Sequence, residues 1–107
     1  MPEDPVLAAD RDGRRARLVL AGELDMGARF QAEQALDRLL AAPVEHLVVD
    51  LGEVTFLDSS GMSLILEVDE RARQEGFNLR LLPGPREVQR VFELAGVADV
   101  LPFAPSA

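Results

Sequence analysis

Apolar residues follow two different periodicities along this chain. Before residue 22 they fall in two short runs, residues 6–9 and 16–21, separated by the turn-forming cluster at 10–13, and this predicts a β-hairpin. Further along, compact β-branched runs alternate with segments whose apolar residues recur every three or four positions. This alternation predicts strands separated by helices, and therefore an α/β fold.

Three segments carry the helical periodicity. Asp25 stands where an N-cap is expected, and the first helix ends before Pro43. The second helix follows the segment 58–61 and runs to about Gly76, while the third begins near Pro85 and stops at Gly96. The predicted buried faces are Ala28, Ala32, Ala35, Leu36 and Leu39 in the first helix, Gly61, Leu64, Ile65, Val68 and Ala72 in the second, and Val88, Val91, Phe92 and Ala95 in the third.

The strand pattern sets the expected topology. Residues 46–51 have the composition of a strand covered on both faces. Residues 77–82 predict another strand, and residues 100–103 predict a last short one. The predicted order is ββαβαβαβ, a mixed, mostly parallel sheet with right-handed crossovers and an N-terminal hairpin as its antiparallel edge. Partners of such sheets bind at the carboxyl ends of the strands, where Asp25 and the segment 58–61 fall.

Composition limits the classes of function. The 107 residues fit one domain, expected over 1–107 with its core at about 5–103. No apolar run approaches the ~20 residues that span a bilayer, the first residues are acidic, and cysteine is absent, so we expect a cytoplasmic protein without membrane association. A net charge of -8 argues against nucleic-acid binding.

The segment Asp58-Ser59-Ser60-Gly61 is the strongest candidate site. Local sequence favours a structural role, with Ser59 as the N-cap of the second helix and Gly61 allowing close packing. A helix N-terminus also presents unpaired amides and the positive end of the helix dipole, so a phosphate on Ser59 would be tolerated there. The two roles are compatible with each other.

Catalytic chemistry has little support. The single histidine, His46, begins the strand whose far end leads to Ser59, which puts the two residues about 17 Å apart by strand rise, too far for a nucleophile and its base. The chain has no Gly-rich phosphate loop and no metal-ligand spacing. We therefore expect neither an enzyme nor a bound cofactor or metal.

Four segments in chain order resemble the STAS domains of bacterial anti-sigma factor antagonists. They are GELD at 22–25, VVDL at 48–51, VTFLDSSGM at 54–62 and VQRVFELAG at 88–96. The stretch from 48 to 62 is the most specific of them. The resemblance extends from about residue 5 to residue 103.

The resemblance implies a partner-switching role. Antagonists of this family bind an anti-sigma factor when dephosphorylated and so free a sigma factor. The anti-sigma factor, often a serine kinase, phosphorylates the serine after the aspartate, here Ser59, and a PP2C-type phosphatase reverses this. Asp25 matches an aspartate that lies near the phosphorylation loop in the family, and Ser60 matches a neighbouring hydroxyl position.

Three apolar residues are candidates for partner contact. Met62 and Leu66 fall off the core stripe of the second helix, one turn apart, and Phe30 falls off the core face of the first. They complete a candidate partner-binding set with Asp25, Asp58, Ser60 and Gly61. Two alternatives stay open, a STAS subunit of a lipid-transport complex without phosphorylation and a stressosome-like scaffold. Monomer and weak dimer are both compatible with the sequence.

Overall fold

The computed structural model describes residues 4–105 of the chain. Within that range, no helix is long and apolar enough to cross a membrane. The elements alternate as ββαβαβα. Their bounds are β1 Val6–Asp12, β2 Arg15–Leu24, α1 Met26–Leu39, β3 His46–Leu57, α2 Ser59–Glu75, β4 Asn78–Leu82 and α3 Arg86–Leu94.

The sheet has the order β1-β2-β3-β4. β1 is antiparallel to β2, whereas β2, β3 and β4 run parallel, so the predicted mixed sheet with an N-terminal hairpin is confirmed. Both strands of the hairpin are longer than expected and leave only Gly13 and Arg14 in the turn. Gly13 has a φ of +62°, a backbone conformation that residues other than glycine rarely adopt.

β3 is twice as long as the predicted strand at 46–51. Its second half pairs with the end of β2 through two shifts of register, and its buried residues there are Val54 and Leu57, three positions apart. Spacing by three breaks the alternation expected of a strand, and Gly52 and Glu53 interrupt the apolar run. Pairing with β2, rather than local pattern, therefore sets the length of β3.

One hydrophobic core joins the sheet to all three helices. The buried residues of α1 and α2 are those that the helical periodicity predicts. The prediction for α3 is half wrong, because only Val88 and Phe92 are buried, Val91 is half-buried and Ala95 is exposed. Ala95 lies beyond the last helical residue, at the C-cap, where the chain leaves the core before Gly96 turns it at a φ of +75°.

The predicted last strand at 100–103 is wrong as an element. A single parallel bridge joins Leu81 to Phe103, with Leu81 N–H donating to the Pro102 carbonyl at 3.0 Å. Residues 97–101 close a turn on the Val97 carbonyl, and Pro102 has no N–H to donate, so too little chain is left to form a ladder. The ring of Phe103 packs edge-on against Phe92, at 5.1 Å between centroids.

Candidate functional site

Two strand-to-helix junctions lie side by side at the carboxyl edge of the sheet. Leu24 ends β2, Leu57 ends β3, and the two residues are direct partners in the parallel ladder. The residues that follow them, Asp25 and Asp58, begin α1 and α2 as N-caps. The ladder therefore brings together the two polar segments that the sequence places at strand ends.

Asp58, not Ser59, is the N-cap of α2. One oxygen of its carboxylate, Oδ1, accepts hydrogen bonds from the N–H groups of Ser60 at 2.8 Å and Gly61 at 3.1 Å. The capping role predicted for Ser59 is thus wrong by one residue. A carboxylate at the N-cap also meets the positive end of the helix dipole, which a hydroxyl would exploit less.

Ser59 is the first residue of α2 and is exposed to solvent. Ser60, one position further, is half-buried, and its backbone N–H is taken by Asp58. Because Asp58 does the capping, the hydroxyl of Ser59 is not required to hold the helix end. Ser59 is therefore the more accessible of the two serines, and its side chain is not needed to cap the helix.

Gly61 holds the start of α2 against the end of β2. A Cβ atom at this position would lie 2.5 Å from the Leu24 carbonyl oxygen and 2.7 Å from Cδ1 of Leu57. Real Cβ atoms do not approach other atoms so closely, and the nearest of these is backbone oxygen. The N-terminus of α2 can pack this closely against the end of β2 only because residue 61 is glycine and has no Cβ.

Asp25 caps α1 more simply. Its Oδ1 accepts one hydrogen bond, from the N–H of Ala28 at 2.9 Å, and its side chain is exposed. Its predicted position as an N-cap is confirmed. A surface groove of about 570 Å³ lies beside it, with Glu23, Gln31 and Thr55 among its polar lining residues.

Arg29 links the two helices at this edge and was missed from the sequence. Its guanidinium bonds Glu33 in α1 at 2.5 Å, Glu67 in α2, and approaches the carbonyl of Ser60 at 3.4 Å. The hydrogen bond that Arg29 donates to Glu33 is the main reason that the pKa of Arg29 is raised, and Glu67 adds to it. Only the packing of α1 against α2 could reveal this role, because Glu67 is far away in the chain.

The apolar candidates do not share one environment. Phe30 is 63% exposed and Leu66 is 36% exposed, whereas Met62 is half-buried and packs against the core. Met26, which the sequence did not single out, is 74% exposed directly after the Asp25 cap. The junctions are therefore bordered by accessible apolar side chains on both helices.

His46 lies at the opposite edge of the sheet from Ser59. It begins β3, and Ser59 follows the end of that strand, so the two are separated by on the order of 30 Å of strand rise. The expectation that His46 and Ser59 are far apart is confirmed, and with greater separation than the sequence suggested.

Comparisons with known proteins agree on one family. Residues 7–102 match the family model described as "Mlab, STAS domain". The anti-sigma-F factor antagonist RsfA of Mycobacterium tuberculosis is 30% identical over 87 residues, which cover 79% of this chain and 68% of RsfA. The putative anti-sigma factor antagonist BtrV of Bordetella bronchiseptica is 35% identical over 79 residues, covering 70% of this chain and 67% of BtrV.

The fold comparison gives the same result. The structure of the anti-sigma factor antagonist SpoIIAA in its unphosphorylated form superposes with a TM-score of 0.75 at 23% identity, covering 92% of this chain and 88% of SpoIIAA. At that identity the likeness concerns the fold. With a family model spanning nearly the whole described sheet and relatives of this kind, the chain belongs to the STAS domain family.

Proposed function

We propose that this chain is an anti-sigma factor antagonist that binds its anti-sigma factor when Ser59 is unmodified and releases it when Ser59 is phosphorylated. The relatives named as anti-sigma factor antagonists support the first half of the proposal. The kinase is the anti-sigma factor itself, a PP2C-type phosphatase removes the phosphate, and the cycle runs in the cytoplasm. No catalytic residue of this chain takes part.

One observation carries the choice of Ser59. It is exposed at the first position of α2, while the helix cap that such a serine commonly provides is supplied by Asp58. A kinase can take the Ser59 hydroxyl into its active site without removing a hydrogen bond that holds the helix. Ser60 is half-buried, so its hydroxyl is less accessible to a kinase and it is the poorer acceptor.

Phosphorylation would change the charge of this edge sharply. The phosphate adds about -1.5 to -2 charge at neutral pH, next to the carboxylate of Asp58 and across the paired strand ends from Asp25. A partner packed over Ser59 would have to desolvate that dianion among existing negative charges. A penalty of about 2.8 kcal/mol already lowers affinity a hundredfold.

Exposed apolar side chains supply the other part of a docking surface. Leu66 lies two turns along α2 from Ser59, and Phe30 and Met26 lie one turn apart on α1. The fully buried centre of an interface is more apolar than the rest of a protein surface, and a few residues there carry most of the binding energy while the contacts around them exclude water. We assign Leu66, Phe30 and the loop 58–61 to the anti-sigma factor interface, with Met62 supporting them from beneath.

The test is a kinase reaction with the cognate anti-sigma factor and ATP, followed by mass spectrometry. We expect one phosphate, on Ser59, with Ser59→Ala abolishing it and Ser60→Ala, the matched control, retaining it. Titration calorimetry should then give tight binding for the unmodified protein and for Ser59→Ala, and at least tenfold weaker binding for the phosphorylated protein. Leu66→Asp should weaken binding while leaving the thermal unfolding midpoint nearly unchanged.

Two results would contradict the proposal in different ways. A phosphate found on Ser60 would move the acceptor by one residue and leave the switch in place. Equal affinity of phosphorylated and unmodified protein for the anti-sigma factor would remove the switch.

A second candidate function has one observation in its favour. The matching family model is described by the name Mlab and not as an anti-sigma factor antagonist. The corresponding role would be that of a structural STAS subunit of a lipid-transport or stressosome-like complex, bound permanently to its partner. Such a subunit would bind through the same edge but would acquire no phosphate from an anti-sigma kinase.

A further inference from the structure

Arg29 of α1 contacts the first turn of α2, at the residue that follows Ser59. In α1 it is one turn beyond the cap residue Asp25, and long helical side chains point back toward the helix N-terminus. The guanidinium therefore reaches across to the first turn of α2, where its Nη1 lies 3.4 Å from the Ser60 carbonyl. Among the side-chain hydrogen bonds of residues 4–105, this is the one through which a cation contacts the segment 58–61.

The guanidinium is held there by two carboxylates of different accessibility. Glu33 bonds its Nε within the same helix, and Glu67 bonds its Nη2 from α2. Arg29 itself is only 24% exposed, but Glu67 is 60% exposed. A pair with so exposed a partner contributes little to stability, so Glu67 can be exchanged for a stronger anion at small cost.

We propose that Arg29 is the phosphate receptor of the switch: on phosphorylation of Ser59 it exchanges Glu67 for the phosphate and keeps that phosphate dianionic. This inference rests on the proposed function, since it concerns the phosphorylated form of the same site. A dianion with three acceptor oxygens binds a guanidinium more strongly than a carboxylate does, and the planar fork suits it.

The negative charges around the site make a pairing between Arg29 and the phosphate important for the charge of the phosphate. Asp58 and Asp25 cap the two helices, Glu33 and Glu67 bond Arg29, and Glu23 lies next to the end of β2; each of these carboxylates opposes the second ionisation of the phosphate. The other acidic residues of α1 and α2, which are Asp37, Asp69, Glu70 and Glu75, lie further along the two helices. An unperturbed phosphoserine has a second pKa of about 6, so like charges would raise it toward neutral pH and leave part of the phosphate singly charged. Arg29 counters this and preserves the charge on which partner release depends.

The experiment uses full-length protein with phosphoserine incorporated during translation at position 59, so no kinase is needed. Phosphorus NMR across a pH titration gives the second pKa of the phosphate directly. Two variants are compared, Arg29→Gln and Arg71→Gln. Arg71 is the matched control because it also joins α2 to α1, through Asp37, while bonding Glu75 within its own helix, and it lies further along the helix pair.

We expect Arg29→Gln to raise the phosphate pKa by about half a unit or more, the size expected for a lost opposite charge nearby in an accessible site. Arg71→Gln should leave it unchanged. Glu67→Gln should lower it, and should do so much less in the Arg29→Gln background, because the freed guanidinium is then absent. An equal pKa in Arg29→Gln and unsubstituted protein, or an equal shift in Arg71→Gln, would overturn the proposal.

The same titration separates this inference from the proposed function. If the anti-sigma factor never phosphorylates Ser59, the proposed function fails while the phosphate pKa in the incorporated protein is unaffected. If phosphorylation releases the partner but Arg29→Gln does not move the pKa, the switch stands and Arg29 is not its receptor.

Discussion

The junctions β2–α1 and β3–α2 are built on one plan and differ in how tightly they are packed. Each consists of a leucine ending a strand, an aspartate N-cap and an exposed first helical residue, Met26 in one and Ser59 in the other. Each has a glycine in its first turn. Yet Gly27 has only the Asp25 carboxylate within reach of an added Cβ, at 3.7 Å, whereas Gly61 has no room for one.

The difference in packing bears on which junction can carry the proposed phosphorylation switch. At β3–α2 the Asp58 cap accepts hydrogen bonds from two backbone N–H groups, and Gly61 packs closely against β2. The backbone around Ser59 is therefore held in one position. A rigid backbone presents one exposed hydroxyl in a constant position, which suits recognition by a kinase and by a partner. At β2–α1 the looser packing leaves Asp25 and Met26 accessible without fixing them as firmly.

The largest expected effect is the difference in the free energy of unfolding between alanine substitutions at Gly61 and at Gly27. Gly61→Ala should destabilise the fold by about 1–3 kcal/mol, because the new methyl group must displace the Leu24 carbonyl or the start of α2. Gly27→Ala should leave stability unchanged or raise it by up to about 1 kcal/mol, since alanine favours the helix and its methyl group meets only an ordinary van der Waals contact. Denaturant unfolding of both variants measures the difference, and equal free energies of unfolding would show that the junctions are packed alike.

A smaller effect is expected at the caps. Asp58→Ala should cost about 1–2 kcal/mol and Asp25→Ala about 0.5–1 kcal/mol, within the usual range for a lost N-cap, because Asp58 accepts two amides and Asp25 one. Asparagine at either position keeps an accepting oxygen and should recover most of the loss. If Asp25→Ala proved the more costly change, the number of accepted bonds would not be what ranks the two caps.

The smallest effect is expected at the first helical residues. Ser59→Ala and Met26→Ala should each change the free energy of unfolding by less than about 0.5 kcal/mol, the usual size for exposed positions without a structural role. Thermal unfolding followed by circular dichroism is sufficient to check this. A loss of 1 kcal/mol or more in Ser59→Ala would mean that its hydroxyl does help to cap α2, in conflict with the geometry at Asp58.

Much of this molecule follows from the sequence because the signals are local. The buried stripe of α2, from Gly61 through Leu64 to Ala72, is a repeat of three and four residues that any reader of the chain can find. The hairpin, the parallel order of the later strands and the Asp25 cap also come from short-range patterns. So does the separation of His46 from Ser59, which needs only the direction of one strand.

Tertiary structure decided what depends on pairing between distant segments. The second half of β3 forms because β2 provides a pairing partner up to Leu24. The alternation of buried and exposed residues that is typical of a strand does not continue through residues 52–57, so the sequence does not predict this half. Asp58 rather than Ser59 is the cap because of where that pairing ends. Leu57 is the last residue of β3 paired with β2, so Asp58 is the first residue at which the chain can leave the strand and begin the helix. The role of Arg29 required α1 and α2 to lie side by side, since a guanidinium can bridge Glu33 and Glu67 only after the core has set the two helices together.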